Sequence, residues 1–305
     1  MFDVYVRIPE NPAASSRGYW YQSVHRFRRL VFNAEYQLSL IATLPWYDLP
    51  ATSSALDALW HSIRLQLRLT ELDGYERLPT ELTRSSDHTG LWQNTDLILS
   101  QCCGPDLFTP QAALLEPFAR PVFSMLECAP GEYYSHIVTG EEVLPEHPRL
   151  VINSLTSRSG CFALLEWLKE QGIKFASVEV SGSHQESLQW LKQNRADLAA
   201  IDAQSWNFLT TDQLHIIGRS RPAPAPPFVM HKGSPLPGET LYKALDQAIL
   251  SNGGSLGLGG LIPADRELYH SANLFERYEG TFPGKEDVAF HLTTNKLPND
   301  ALASL

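Results

Sequence analysis

The sequence has no long apolar run and little positive charge, and each absence excludes a class of protein. No stretch approaches the ~20 apolar residues that a membrane-spanning helix needs. Lysine and arginine number 24 against 34 aspartate and glutamate residues, which gives a formal net charge of -10. Nucleic-acid-binding proteins carry a basic face instead. The composition therefore favours a small-molecule partner, with no nucleic acid and no membrane span.

Cysteine is also scarce. The four cysteines are Cys102, Cys103, Cys128 and Cys161, and none is spaced as the C-x-x-C pair of a zinc site. Cys102 and Cys103 follow a predicted strand, and we expect both to be buried as small apolar side chains. A reactive or redox role for them is the alternative. No metal site or cofactor is predicted.

The N-terminal region shows no signal-peptide pattern. Met1-Phe2-Asp3 is acidic, and the apolar stretch after the basic group at 25–29 is short and broken. This predicts a cytoplasmic protein as written, or a periplasmic one whose leader has been removed. Residues 1–37 are predicted to form a loosely packed or disordered extension, and residues 281–305 a C-terminal tail.

Two predicted strands in the first half of the chain end in polar or aromatic residues. Residues 40–44 form the first strand, followed by a loop that carries Tyr47, and residues 96–100 form the second, which ends at Gln101. Loops at the ends of neighbouring strands face one crevice, so Tyr47 and Gln101 are candidate ligand-binding residues. The alternative for Tyr47 is an aromatic plug whose hydroxyl faces solvent.

Helical spacing predicts further elements. Apolar residues recur every three or four positions from Ser54 to Leu69, which predicts a helix with one buried face. A second helix is predicted from Pro110 to Ala119. The glycine-rich stretch from Ser251 to Gly260 is predicted to be a flexible loop.

A candidate anion site follows the strand at 150–152. Ser157, Ser159 and Gly160 stand where a helix is predicted to open near Gly160. The first amides of a helix are unpaired and lie at the positive end of its dipole, so they favour an anion. The alternative is an ordinary helix start.

The stretch from Val180 to Leu209 contains a second group of polar residues. Ser183 and Glu186 have the spacing of a capping box at a helix start, with His184 between them. A buried strand follows and ends at Asp202. Because ligands bind beyond the carboxyl ends of such strands, Ser183, His184 and Asp202 are expected to line one pocket. Helix capping alone is the alternative for Ser183 and Asp202.

These motifs together resemble a known family. The ordered set comprises LPWYD at 44–48, DLILSQCCG at 96–104, SRSG at 157–160, SGSH at 181–184 and ADLAAID at 196–202. It is similar to the phosphonate- and phosphate-binding family of ABC-transporter substrate-binding proteins, which have the type 2 periplasmic-binding-protein fold. The resemblance runs from about Leu38 to about Phe275.

The resemblance implies an α/β fold with a ligand cleft between two three-layer lobes joined by hinge strands. Lobe 1 is predicted to comprise residues 38–120 and 226–280, and lobe 2 residues 121–225. The proline-rich tract at 221–227 is predicted to carry the chain back between the lobes.

The function predicted from these residues and the resemblance is that of a solute-binding protein closing over a small anionic ligand. The phosphonate or phosphate class is favoured, and a transporter permease is the implied partner. Two alternatives remain. One is a cytoplasmic enzyme on the same fold, using His184 with Asp202, or the paired cysteines. The other is a ligand sensor that acts on a protein partner.

Overall fold

The computed structural model describes residues 39–70 and 75–271, so the predicted N-terminal extension and C-terminal tail lie outside the described residues. The strands are β1 (Ile41–Ala42), β2 (Leu97–Gln101), β3 (Leu115–Phe123), β4 (Glu132–Tyr133), β5 (Ser135–Thr139), β6 (Arg149–Ile152), β7 (Ser177–Val180), β8 (Leu198–Asp202), β9 (His215–Arg219), β10 (Ala223–Pro224), β11 (Phe228–His231) and β12 (Leu258–Pro263). The helices are α1 (Ser53–Leu69), α2 (His88–Trp92), α3 (Ala163–Gln171), α4 (His184–Lys192), α5 (Ala203–Trp206), α6 (Gly238–Asn252) and α7 (Arg266–Ser271).

The first lobe is built on a five-stranded sheet in the order β1-β2-β11-β3-β12. β1 and β2 are parallel, and the other neighbours are antiparallel. One face of the sheet packs on α1 and α6, whose buried stripes include Trp60 and Leu245. The opposite face packs on α2 and α7, with Trp92 and Tyr269 in the core. The sheet is therefore the middle layer of three.

The second lobe has the same plan. Its sheet has the order β7-β6-β8-β5-β9, with β6 parallel to both β7 and β8 and β5 antiparallel to β8 and β9. Leu164 and Leu168 of α3 pack on one face, and Leu188 and Leu191 of α4 pack on the other. β8 is buried along its whole length. The structure thus confirms the predicted two-lobed α/β class.

Two chain segments connect the sheets, between β3 and β5 and between β9 and β11. They pair with each other as the antiparallel strands β4 and β10, with Ala223 opposite Tyr133 and Pro224 opposite Glu132. The proline-rich tract thus lies in one of the two connections. Proline has no N–H to donate, and it is tolerated here because the β4–β10 pairing comprises only two residues on each strand. The residue bounds predicted for the lobes stay a prediction.

Two predicted elements are wrong. The helix predicted over 110–119 is a 3-10 turn, Pro110–Ala112, followed by β3. Pro117 lacks the N–H that a helix interior needs, and every second residue from Leu115 to Phe123 is buried, as in a strand. The loop predicted over 251–260 contains the end of α6, a 3-10 turn and the start of β12. Pairing with β3 orders this segment, and local sequence does not encode that pairing.

Candidate functional site

Tyr47 and Asp202 link the two lobes. Tyr47 lies in the loop between β1 and α1, and its backbone carbonyl accepts a hydrogen bond from Thr52 Oγ1. The Tyr47 hydroxyl donates to Asp202 Oδ2 at 3.1 Å. Asp202 Oδ1 accepts from the amides of Gln204 at 2.8 Å and Ser205 at 3.0 Å. The carboxylate thus both caps α5 and binds the first lobe.

Burial dominates the electrostatics of this pair. It raises the pKa of Asp202 to about 6, although hydrogen bonds from the Ser205 amide, the Tyr47 hydroxyl and the Gln204 amide oppose the effect. Burial, with the nearby Asp202 charge, also raises the pKa of Tyr47 well above its ordinary value, so the phenol keeps its proton. Tyr47 is therefore the donor, and Asp202 is close to its ionisation point near neutral pH.

The predicted anion site forms the first turn of a continuous helix. A π-helical turn, Arg158–Phe162, runs directly into α3, so the helix opens two residues before the predicted position. Ser157 Oγ accepts from the Gly160 amide at 2.9 Å, and Ser157 Oγ lies 3.5 Å from Ser159 Oγ. Among the described residues the amides of Arg158 and Ser159 have no backbone acceptor. The Arg158 amide faces the Cys103 thiol, so the Ser159 amide and the hydroxyls of Ser157 and Ser159 are the donors left at this positive helix end.

His184 joins this cluster from α4. Its Nε2 lies 2.9 Å from Ser159 Oγ. Burial lowers the pKa of His184 to about 4. The Ala200 backbone beside the ring opposes this lowering of the pKa. The contact of Nδ1 with Ala200 does not meet the geometry of a hydrogen bond. The ring is neutral at pH 7 and has one N–H. With that proton on Nδ1, facing Ala200, Nε2 accepts from the Ser159 hydroxyl.

Ser183 has a clear local role. Its Oγ accepts from the Glu186 amide at 3.1 Å, so the capping interaction at the start of α4 is confirmed. The structure thus brings Ser157, Ser159 and His184 together and places Ser183 one residue before His184. A ligand contact by Ser183 stays a prediction.

Gln101 supports the loop that carries Tyr47. Its Oε1 accepts from the Trp46 amide at 3.4 Å, at the edge of hydrogen-bonding distance. Trp46 Nε1 donates to Cys103 Sγ at 3.2 Å. Cys102 and Cys103 are free and buried, and burial raises the pKa of both thiols. Their predicted burial is confirmed, and neither is poised as a thiolate nucleophile.

Sequence reasoning missed two titratable groups here. Tyr133, in β4, is buried. Burial and the nearby Cys103 and Asp202 raise its pKa, and the nearby Arg158 charge and Ser159 hydroxyl oppose the shift. Asp106 Oδ2 accepts from the Cys103 amide at 2.8 Å, and burial raises the Asp106 pKa to about 6. Gly104-Pro105-Asp106 directly after a strand end was the available sequence signal for Asp106.

Two cavities of the described chain lie away from these residues. The larger, of about 490 Å³, is a groove on the first lobe, and the smaller, of about 370 Å³, lies beside the loop that carries Tyr47. The larger is lined by Glu116, Pro117, Phe118, Met230, Gly238, Glu239, Tyr242 and Pro263, and the smaller by Thr43, Pro45, Asp48, Thr83, Arg84, Ser85, Ser86 and His88. Neither cavity is lined by Ser157, Ser159, His184 or Asp202.

The described residues contain no cluster of three histidine, cysteine, aspartate or glutamate side chains placed to hold a metal ion. Within the same residues, no helix has the length and apolar character needed to span a membrane.

Several solved structures share this fold. PhnD1 of Prochlorococcus marinus, in complex with methylphosphonate, has a TM-score of 0.57 at 16% identity, with 79% of this chain and 97% of that chain covered. A binding protein component of a phosphonate ABC transporter from Pseudomonas aeruginosa has a TM-score of 0.57 at 13% identity, with 79% and 87% covered. XAC2383 of Xanthomonas citri, bound to ATP, has a TM-score of 0.53 at 13% identity, with 77% and 96% covered. These likenesses show the type 2 periplasmic-binding-protein fold.

The sequence comparisons are more specific about the family. No curated protein matches the chain. A family model does: residues 115–279, more than half of the 305 residues, match the model described as "ABC transporter, phosphonate, periplasmic substrate-binding protein". This segment contains the turn Arg158–Phe162, His184 and Asp202. The chain therefore belongs to the family of periplasmic substrate-binding proteins of phosphonate ABC transporters.

Proposed function

We propose that the protein binds a small phosphonate in the cleft between its lobes and delivers it to a transporter permease. The observation that carries this proposal is the start of the helix 158–171, where the Ser159 amide has no backbone acceptor and the hydroxyls of Ser157 and Ser159 lie 3.5 Å apart. Hydroxyls and amides at a helix start bind tetrahedral oxyanions through charge-assisted hydrogen bonds. Ser157 and Ser159 would hold the anionic group. The Gly160 amide, which donates to Ser157 Oγ at 2.9 Å, would orient that hydroxyl, with Ser183 and His184 beside it.

The buried carboxylate restricts which anion is accepted. Asp202 carries a pKa of about 6, so at neutral pH it is largely ionised and repels a fully deprotonated oxyanion. A ligand that retains an acidic proton, or that carries an amine, turns this repulsion into a hydrogen bond. Phosphonates exist as monoanions and dianions near neutral pH, and aminophosphonates add the amine. Asp202 therefore favours a protonated phosphonate or an aminophosphonate over a proton-free tetrahedral anion such as sulfate.

Closure follows from where the groups lie. Tyr47 and Gln101 belong to the first lobe, whereas the anion-binding turn and Asp202 belong to the second. A ligand that contacts both lobes gains most of its interactions only when they come together, so its preference for the closed form drives the motion. The paired connections β4 and β10 would serve as the hinge, with the lobe bounds near those predicted from the sequence.

The test is isothermal titration calorimetry of the full chain with methylphosphonate, 2-aminoethylphosphonate, inorganic phosphate and sulfate. We expect the two phosphonates to bind, phosphate to bind more weakly and sulfate to bind least. Ser157→Ala and Ser159→Ala should each reduce phosphonate affinity. Ser251→Ala is the matched control, because Ser251 Oγ is exposed and donates to the Gln247 carbonyl on α6. Tighter binding of sulfate than of either phosphonate would refute the assignment.

A further inference from the structure

Gln204 is a buried side chain of the second lobe that reaches the first lobe. It lies at the start of α5 and is 1% exposed. Its Nε2 donates to the carbonyl oxygen of Leu256 at 2.6 Å. Leu256 ends the 3-10 turn between α6 and β12, and its side chain packs in the core of the first lobe.

The first lobe holds that carbonyl in a fixed position. Gly257, the next residue, has a φ of +64°, which side-chain-bearing residues rarely adopt. A Cβ there would lie 2.7 Å from Met125 Sδ and 2.8 Å from Gln204 Nε2. The Gly257 carbonyl accepts from the Ser124 amide at 2.8 Å. The turn is therefore shaped so that the Gln204 amide can approach the backbone closely.

Gln204 is also joined directly to the candidate site. Its backbone amide donates to Asp202 Oδ1 at 2.8 Å, and Asp202 Oδ2 accepts from Tyr47. The start of α5 is thus held by the first lobe at two points, Tyr47 and Leu256. Moving the first lobe away from Gln204 would break both contacts of the segment that presents Asp202.

We propose that Gln204 is a positioning residue for closure of the lobes, and this rests on the proposed function. The Gln204 to Leu256 bond favours the closed form and keeps Asp202 aligned with Tyr47. An unfavourable contribution opposes the stabilisation from this bond. Gln204 Oε1 is buried without a hydrogen-bond partner among the described residues. In an open form that oxygen would be hydrated, and burying an unpaired acceptor is costly. The Gln204 to Leu256 hydrogen bond therefore shifts the open–closed equilibrium only modestly towards the closed form. Ligand binding still controls closure.

The test uses the full chain, Gln204→Met and the matched control Gln247→Met, an exposed glutamine of α6. Two measurements are made. Stopped-flow experiments give the association and dissociation rates of methylphosphonate. Spin labels attached to non-canonical amino acids at positions 143 and 250 report the distance between the lobes. Val143 and Leu250 are 82% and 65% exposed and belong to different lobes. For Gln204→Met we expect about fivefold faster dissociation, the size of one ordinary hydrogen bond, with an unchanged association rate.

The ligand-free distance distribution should move towards more open forms in Gln204→Met and stay as in the wild type in Gln247→Met. A merely structural role would lower thermal stability while leaving the distance and the dissociation rate unchanged, and that result would overturn the proposal. If Gln204→Met does not fold, Gln204→Asn, one methylene too short to reach Leu256, tests the same contact. If the wild type binds no phosphonate, the proposed function fails while the ligand-free distances still decide the role of Gln204.

Discussion

The hydroxyl of Tyr47 donates a hydrogen bond to Asp202 Oδ2 at 3.1 Å, joining residues 155 positions apart in the chain and in different lobes. The same carboxylate caps α5 through its other oxygen. One side chain therefore connects the local structure of the second lobe to the position of the first. Under the proposed function, Asp202 takes part in both ligand selection and lobe closure.

Tyr47→Phe should weaken the binding of methylphosphonate by about 10- to 150-fold, because the closed form loses a hydrogen bond to a carboxylate, an interaction of about 1.5–3 kcal/mol. Calorimetry at pH 7.5 measures the change. Tyr242→Phe is the control, since its hydroxyl donates to the Leu261 carbonyl at 3.3 Å on the first lobe. Equal affinities of Tyr47→Phe and wild type would show that the hydroxyl has no part in closure.

Asp202→Asn should stabilise the protein at pH 8. The folded pKa of about 6 lies above 3.8, the ordinary value of an aspartate side chain, so the native state holds its proton more tightly and loses stability as pH rises from about 4 to 6. Asparagine keeps the cap without the buried charge. We expect a gain of roughly 1–3 kcal/mol at pH 8, from about two pKa units, that vanishes near pH 4. Urea denaturation across this range measures it, and a pH-independent difference would contradict the burial argument.

His184 should titrate in the opposite sense. Its folded pKa of about 4 lies below 6.5, the ordinary value of a histidine side chain, so its contribution to stability is complete above pH 6.5 and is lost as pH falls towards 4. Nitrogen NMR of the imidazole should show a neutral ring at pH 5.5. The free energy of unfolding of His184→Gln, measured by denaturation, should not show the loss between pH 6.5 and pH 4 that comes from His184. A charged ring at pH 5.5 would mean that the side chain is solvated.

Gly160→Ala should impair ligand binding more than folding. A Cβ at this position would lie 1.8 Å from Asn153 Oδ1 and 3.3 Å from Ser157 Oγ. Asn153 can rotate away at a cost of about 0.5–1.5 kcal/mol for an unfavourable rotamer, but the donors of the anion-binding turn would shift. Gly254→Ala is the control, because its Cβ would meet nothing within 4 Å. Phosphonate titration and thermal denaturation of both variants separate the two effects.

Local patterns in the sequence predicted much of the fold. The spacing of Leu56, Trp60 and Ile63 indicated α1, and all three are buried. Ser183 and Glu186 marked the start of α4, and the apolar run before Asp202 indicated a fully buried strand. These predictions succeeded because helical period, capping and strand burial depend on residues only a few positions apart.

Where partners are distant, the sequence was less informative. β3 and β12 were predicted as a helix and a loop because their pairing joins segments more than a hundred residues apart. The candidate site divides in the same way. Ser157, Ser159, His184 and Asp202 could be proposed from helix starts and a strand end, and Gly104-Pro105-Asp106 offered a signal for Asp106, whereas nothing local pointed to Tyr133.

The sequence by itself determined most of the helices and strands, the acidic character and the polar groups at the helix starts and strand ends. Only the tertiary structure decided which groups meet: Tyr47 with Asp202, His184 with Ser159, and Gln204 with the Leu256 carbonyl. The physical reason is that capping and amphipathic spacing are short-range, whereas contacts between lobes depend on how two sheets, linked by the paired strands β4 and β10, are brought together.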